Sequence, residues 1–194
     1  MKRILSLMVM VCVAGCSSNA INSDSHNTFL DSDDLVRMTD KMAASFATDP
    51  RIVAQVAAQG RPLVIVIKPI VNDTNQIIRP QEKLLYVARM EDLLGSKQSL
   101  RGQFTFVLTR EDYAALIATE GKQPGELGPD PARTVPDYVL SGNFEVLTND
   151  NGTQRSDYYY CRYVLTRITG QDSGVQLWTD KYETKKVARK GLLD

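Results

Sequence analysis

The sequence predicts an α+β fold, an α/β sandwich built on a mixed sheet of about five strands with three to four helices beside it. Two observations carry the prediction. The first half alternates helical periodicity with short β-branched runs, the signature of parallel strands joined by crossover helices. The second half changes to period-two alternation broken by Asn/Gly turns, which reads as a carboxy-terminal antiparallel meander. One domain of ordinary size, residues 32–188, accounts for both patterns.

The elements follow in order. Ser32-Asp33-Asp34 supplies an N-cap and first-turn acids, and Leu35, Met38, Met42 and Phe46 then recur at helical spacing until Asp49-Pro50. A second helical stretch spans 51–58 and stops at Gly60. Leu63 to Ile67 is a continuous apolar run, expected as a central strand buried on both faces. Residues 72–76 form a polar loop. Pro80 opens a helix carrying Leu84, Leu85, Val87, Ala88 and Leu94, and Gly95 and Gly102 frame its exit. Phe104 to Leu108 is the next strand, and Thr109 caps a helix over 110–118 with Tyr113, Leu116 and Ile117 on one side. Strand, helix and strand predict a parallel crossover. Residues 121–136, with repeated Gly and Pro, read as a surface loop.

In the meander, Tyr138, Leu140, Phe144 and Val146 share a face. After the turn at 149–152, Tyr159, Cys161, Tyr163 and Leu165 share another, and a third strand over 175–184 carries Trp178 and Tyr182.

The chain opens with Lys2 and Arg3, an apolar run from Ile4 to Val13, and then Val13-Ala14-Gly15-Cys16. That is the layout of a secretory signal over residues 1–15 ending in a lipobox. The run is too short to span a bilayer as a helix. Cys16 is therefore expected to begin the mature chain and carry acyl chains such as palmitate, enough for a stable anchor at ~0.8 kcal/mol per buried CH2. Ser17 in place of an aspartate points to the outer membrane, on its periplasmic face. Residues 16–31 are rich in Ser, Asn and Asp and read as a flexible tether, with a typical span of about 20 Å and a full reach of roughly 50 Å. Residues 189–194 read as a tail, and the basic group Lys185, Lys186, Arg189 and Lys190 as a solvated chain end.

Composition narrows the function. The 23 basic and 23 acidic residues balance, and loss of Lys2 and Arg3 with the leader leaves a slight acidic excess, so nothing points to nucleic acid. Cys12 leaves with the signal and Cys16 takes lipid, so Cys161 has no intramolecular disulfide partner. Its alternation with Tyr159 and Tyr163 predicts a buried structural thiol. The sole histidine, His26, sits in the tether, which disfavours Ser-His or Cys-His catalysis, and no His/Cys cluster or phosphate-cradling glycine run is present. No catalytic residue, metal ligand or cofactor is therefore predicted.

Two groups remain as candidate partner-binding residues. Asn72, Asp73 and Thr74 follow a buried strand, where open sheets often bind ligands, although local turn bonds explain the same residue types. Tyr158 and Tyr160 alternate away from Tyr159 and share a face with Arg162, a partner surface if no helix covers it.

Four features occur in order: the lipobox, Pro69-Ile70-Val71-Asn72-Asp73-Thr74, the strand Asp137 to Gly142 with its Asp-Tyr-Val-Leu-x-Gly pattern, and Thr169-Gly170 followed by Trp178. Together, over residues 35–188, they resemble the LpoB-like lipoproteins, outer-membrane activators of penicillin-binding proteins whose domain is similar to the amino-terminal domain of TolB. The resemblance implies a nonenzymatic protein that docks on a noncatalytic domain of a bifunctional peptidoglycan synthase. Enteric members carry a long Pro-rich linker where this chain has about 15 residues. The same plan is similar to the curli secretion lipoprotein, which implies the alternative of a structural subunit in an envelope secretion or assembly complex, with self-association.

Overall fold

The computed structural model describes residues 20–21, 28–68, 70–77, 88–90, 92–94, 96, 101–121, 123, 126 and 129–189. The signal, the lipobox with Cys16, His26, Pro69, Pro80 to Val87, Gly95 and the tail from Lys190 lie outside them. The described elements are β1 (Ala20–Ile21), α1 (Ser32–Thr48), α2 (Pro50–Gln59), β2 (Leu63–Ile67), β3 (Val71–Asp73), α3 (helical at 88–90, 92–94 and 96), β4 (Phe104–Leu108), α4 (Arg110–Glu120), β5 (Tyr138–Asp150), β6 (Gln154–Arg167) and β7 (Gln176–Arg189).

They build one mixed sheet in the order β1-β7-β6-β5-β2-β4, with β3 also pairing to β5. The five strands read from the sequence are all present, and the two short ones, β1 and β3, join them. β2 is interior, next to the edge strand, parallel to β4 on one side and to β5 on the other. The long strands β5, β6 and β7 form the antiparallel meander.

Handedness decides which helix covers which face. The step from β2 to β4 and the step from β4 to β5 run in opposite directions across the sheet, so right-handed crossovers place α3 and α4 on opposite faces. Burial agrees. Met90 and Leu94 of α3 join Met38, Met42 and Phe46 of α1, Ile52 of α2, and Leu63, Ile65, Phe144, Cys161 and Trp178 of the sheet in the main core. Phe46 stands edge-on to both Phe104 and Trp178, with ring centroids 5.2 Å apart in each case. Val107, Val139, Tyr113 and Leu116 are buried outside that cluster, at the β2–β4 side of the opposite face. There Val64 and Val66 are only half-buried, so β2 is enclosed at Leu63 and Ile65 on one face and only partly on the other, short of the expected two-sided burial.

Several boundaries move. The N-cap of α1 is Asp31, one residue before the expected Ser32, because Asp31 and Asp34 exchange side-chain and backbone hydrogen bonds in a capping box at 2.9 and 3.0 Å. Asp49 ends α1 and caps α2, accepting from the Arg51 amide at 2.8 Å. Asn72 and Asp73, read as loop, belong to β3. β7 continues past Thr184 to Arg189, so Lys185 and Lys186 are strand residues rather than a solvated chain end. Lys186 is almost wholly buried and its ammonium is paired with Asp31 and Asp34. Within the segment read as tether, Ala20–Ile21 pair in parallel with β7, and Thr28 is buried.

The family-like motifs are structural. Asp137 accepts from Arg61 at 2.7 and 2.8 Å, from Gln59 at 2.9 Å and from the Val64 amide at 3.2 Å, clamping the end of α2 and the start of β2 to β5. Burial alone would raise its carboxyl; the Arg61 guanidinium and the other donors hold it below the usual range. Gly142 closes the same motif where a Cβ would come within 3.1 Å of the Tyr163 ring.

Candidate functional site

Among the described residues, the half of the sheet's second face that no helix covers is the meander. Strand alternation sends Tyr159, Cys161, Tyr163 and Leu165 of β6 into the core and leaves Tyr158, Tyr160 and Arg162 on the other side. Register then brings other strands' residues beside them. One row across the strands is Asp73, Glu145, Tyr160 and Glu183; the next is Val71, Asn143, Arg162 and Lys181. Leu147, Tyr158 and Lys185 form a third. Four strands span about 14 Å, so these side chains make one contiguous patch. Val71 is 55% exposed and Leu147 72%, and among the described residues no helix lies over them.

Contacts within the patch are polar and shared. Lys181 pairs with Glu183 at 2.9 Å and stands 5.7 Å over the Tyr160 ring. Glu183 also bonds the Tyr158 phenol, which raises the phenol above its ordinary value, while Lys181 and Tyr158 hold the Glu183 carboxyl low. Asn143 donates to Glu145 at 2.7 Å, and its own Oδ1 is buried with no hydrogen bond. Each of the first two rows places like charges on neighbouring strands, Asp73 beside Glu145 and Arg162 beside Lys181. Such pairs disfavour the fold; the ion pair between Lys181 and Glu183, two residues apart on β7, and the Asn143 donation to Glu145 offset part of that cost.

The six candidate partner-binding residues therefore separate. Asp73, Tyr158, Tyr160 and Arg162 come together on this face. Asn72 lies opposite the buried Phe144, on the inner side, and closes its own turn: Nδ2 donates to the Gln76 carbonyl at 2.6 Å, and Oδ1 accepts from Thr74 Oγ1 at 2.6 Å. Gln76 then donates to the Tyr159 phenol at 2.7 Å, tying the turn to the core. Sequence reading missed Val71, Asn143, Glu145, Leu147, Lys181, Glu183 and Lys185. The alternation of β5 and β7 marked their face, but not which residues of different strands stand abreast.

Chemically the patch combines exposed apolar side chains, phenol rings and charges of both signs. Cys161 is buried, and burial, with the nearby Asp34 charge, pushes its thiol up to about 12, so it stays protonated and inert. Among the described residues no group of three or more His, Cys, Asp and Glu could hold a metal ion, and no helix is long and apolar enough to cross a membrane.

A family model described as peptidoglycan-synthase activator LpoB matches residues 34–184, most of the chain. The chain belongs to the LpoB family. Its match covers the described domain from the first turn of α1 into β7, and the order of motifs that resembled the family in sequence lies within it, apart from the lipobox. Among solved structures, the C-terminal domain of LpoB from Escherichia coli is similar at 16% identity, with 77% of this chain and 97% of that chain covered and a TM-score of 0.40. Lipoprotein GNA1162 from Neisseria meningitidis is similar at 12% identity, with 69% and 86% covered and a TM-score of 0.36. The hypothetical protein CT253 from Chlamydia trachomatis is similar at 13% identity, with 64% and 72% covered and a TM-score of 0.34. No curated protein matches the chain in sequence.

Proposed function

We propose that this LpoB-family protein is a nonenzymatic regulator of a bifunctional penicillin-binding protein, held at the periplasmic face of the outer membrane by lipid on Cys16. It docks on the synthase through the uncovered face of the meander. One observation carries the docking assignment: an open, tyrosine-bearing sheet face keeps like charges abreast at Asp73 and Glu145 and at Arg162 and Lys181, an arrangement unfavourable to the isolated domain. A partner that brings opposite charges to those rows and covers the tyrosines relieves it. Membership of a synthase-activator family supports the class of partner.

The test is capture by crosslinking in intact envelopes, followed by glycan polymerisation with the purified synthase. The parent chain is expected to recover a penicillin-binding protein and to raise its rate. Tyr160→Ala with Arg162→Glu should weaken binding at least tenfold, about 1.4 kcal/mol, while Asp172→Asn on the far turn should not. Recovery of self-multimers with secretion components and no synthase would overturn the reading in favour of an assembly subunit.

A further inference from the structure

Between the proposed lipid site and α1, the described residues Ala20, Ile21, Thr28 and Asp31 are fastened to the sheet. Thr28 donates Oγ1 to Asp157, a fully buried carboxylate that also accepts from Thr148 at 2.7 Å and pairs with Arg155 at 3.1 Å. Three residues on, Asp31 takes the Lys186 ammonium at 2.8 Å, and Asp34 shares it. Upstream, β1 lies parallel to β7 with Ala20 opposite Lys185 and Ile21 opposite Lys186. Backbone pairing and two buried charge clusters thus join the lipid-proximal segment to β6 and β7.

We propose that this strap holds the β1–β7 edge of the sheet against the phospholipid headgroups, making that edge the membrane-facing surface and leaving the β4 edge farthest from the bilayer. The inference rests on lipidation of Cys16. Four Cα steps separate Cys16 from Ala20, at most about 15 Å, against a typical span of about 20 Å and a reach of roughly 50 Å for a wholly free segment of 15 residues. Ala20 lies on the outermost strand, and five interstrand spacings, about 24 Å, separate β1 from β4. An anchored chain therefore reaches the headgroups with its β1–β7 edge first. The exposed ammonium groups there suit a phosphate-bearing surface: Lys185 beside β1, and Lys41 of α1, which donates to the Lys181 carbonyl of β7 at 2.8 Å. The meander face then stands upright from the membrane, open to a partner arriving from the side.

Energy transfer tests the orientation. The full lipidated chain is reconstituted in phosphatidylethanolamine–phosphatidylglycerol vesicles containing a headgroup-labelled acceptor lipid, with a donor dye placed through Lys185→Cys or, near the β4 edge, Glu111→Cys. Buried Cys161 does not compete for dye. Transfer from position 185 is expected to exceed that from 111 at least twofold. Ala20→Pro with Ile21→Pro, which removes the β1 amides outside the core, should collapse the difference. Equal transfer from the two positions of the intact strap would overturn the orientation. If Cys16→Ala floats with vesicles as fully as the parent, the lipid reading itself fails, and the inference with it.

Discussion

Tyr159 and Tyr160 are neighbours on β6, and strand alternation gives them different work. Tyr159 is fully buried, its phenol is pushed up to about 12 by burial and the Asp157 charge, and Gln76 donates to it. Tyr160 is half-exposed among Glu145, Glu183 and Lys181. The inner face of the meander is constrained by packing, where each side chain fills a fixed space. Among the described residues no helix packs over the outer face; its charges and rings pair with one another, as Lys181 does with Glu183 and Tyr160, while facing outward. Stability belongs to one face, and the proposed recognition to the other.

That division can be broken from the inside first. Phe144 is fully buried and meets Tyr163 edge-on with centroids 5.8 Å apart; Phe144→Ala should cost about 3–5 kcal/mol in urea unfolding. Lys186→Met, which leaves Asp34 buried without its cation, should cost about 3 kcal/mol, and adding Asp34→Leu should recover most of it. The same cluster sets an acid response. Burial would raise the Asp31 carboxyl, yet the Lys186 ammonium and the Asp34 amide hold it at about 2, against an ordinary 3.8. Its stabilisation is whole above 3.8 and is lost as pH falls toward 2. Unfolding midpoints at pH 5 and pH 3 should therefore separate less in Asp31→Asn than in the parent.

Smaller effects sharpen the comparison. Tyr159→Phe removes the acceptor for Gln76 and should cost about 1 kcal/mol. Tyr160→Ala, one residue along, should shift the unfolding midpoint by under ~0.5 kcal/mol while weakening capture of the synthase. A large loss of stability from the Tyr160 variant, with binding intact, would erase the distinction between the faces.

The motifs that made the chain legible stand apart from the patch, with two overlaps. Asp137 and Gly142 clamp and close-pack β5, and Asn72 and Thr74 close a turn; each role is local or requires one residue type, so it leaves a mark in sequence. Val71 and Asp73 belong to the same motif, yet their place in the patch came only through β3 pairing with β5. Glu145, Lys181 and Glu183 carry no motif, because a surface polar position on a strand accepts many side chains. Lys186 misled for a related reason. A basic run near a chain end resembles a solvated tail, and only its pairing with Asp31 and Asp34, more than 150 residues away, turns it inward.

By itself the sequence determined the helices α1, α2 and α4, the five main strands, the inward faces of β5 and β6, and the family resemblance. These depend on periodicity and short-range caps, which contacts within a few residues specify. Tertiary structure decided strand order, which half of the second face stays open among the described residues, and where Ala20, Ile21 and Thr28 are bound. Those outcomes depend on pairings across the whole chain, β3 with β5, β1 with β7 and Thr28 with Asp157, whose partners no local pattern names.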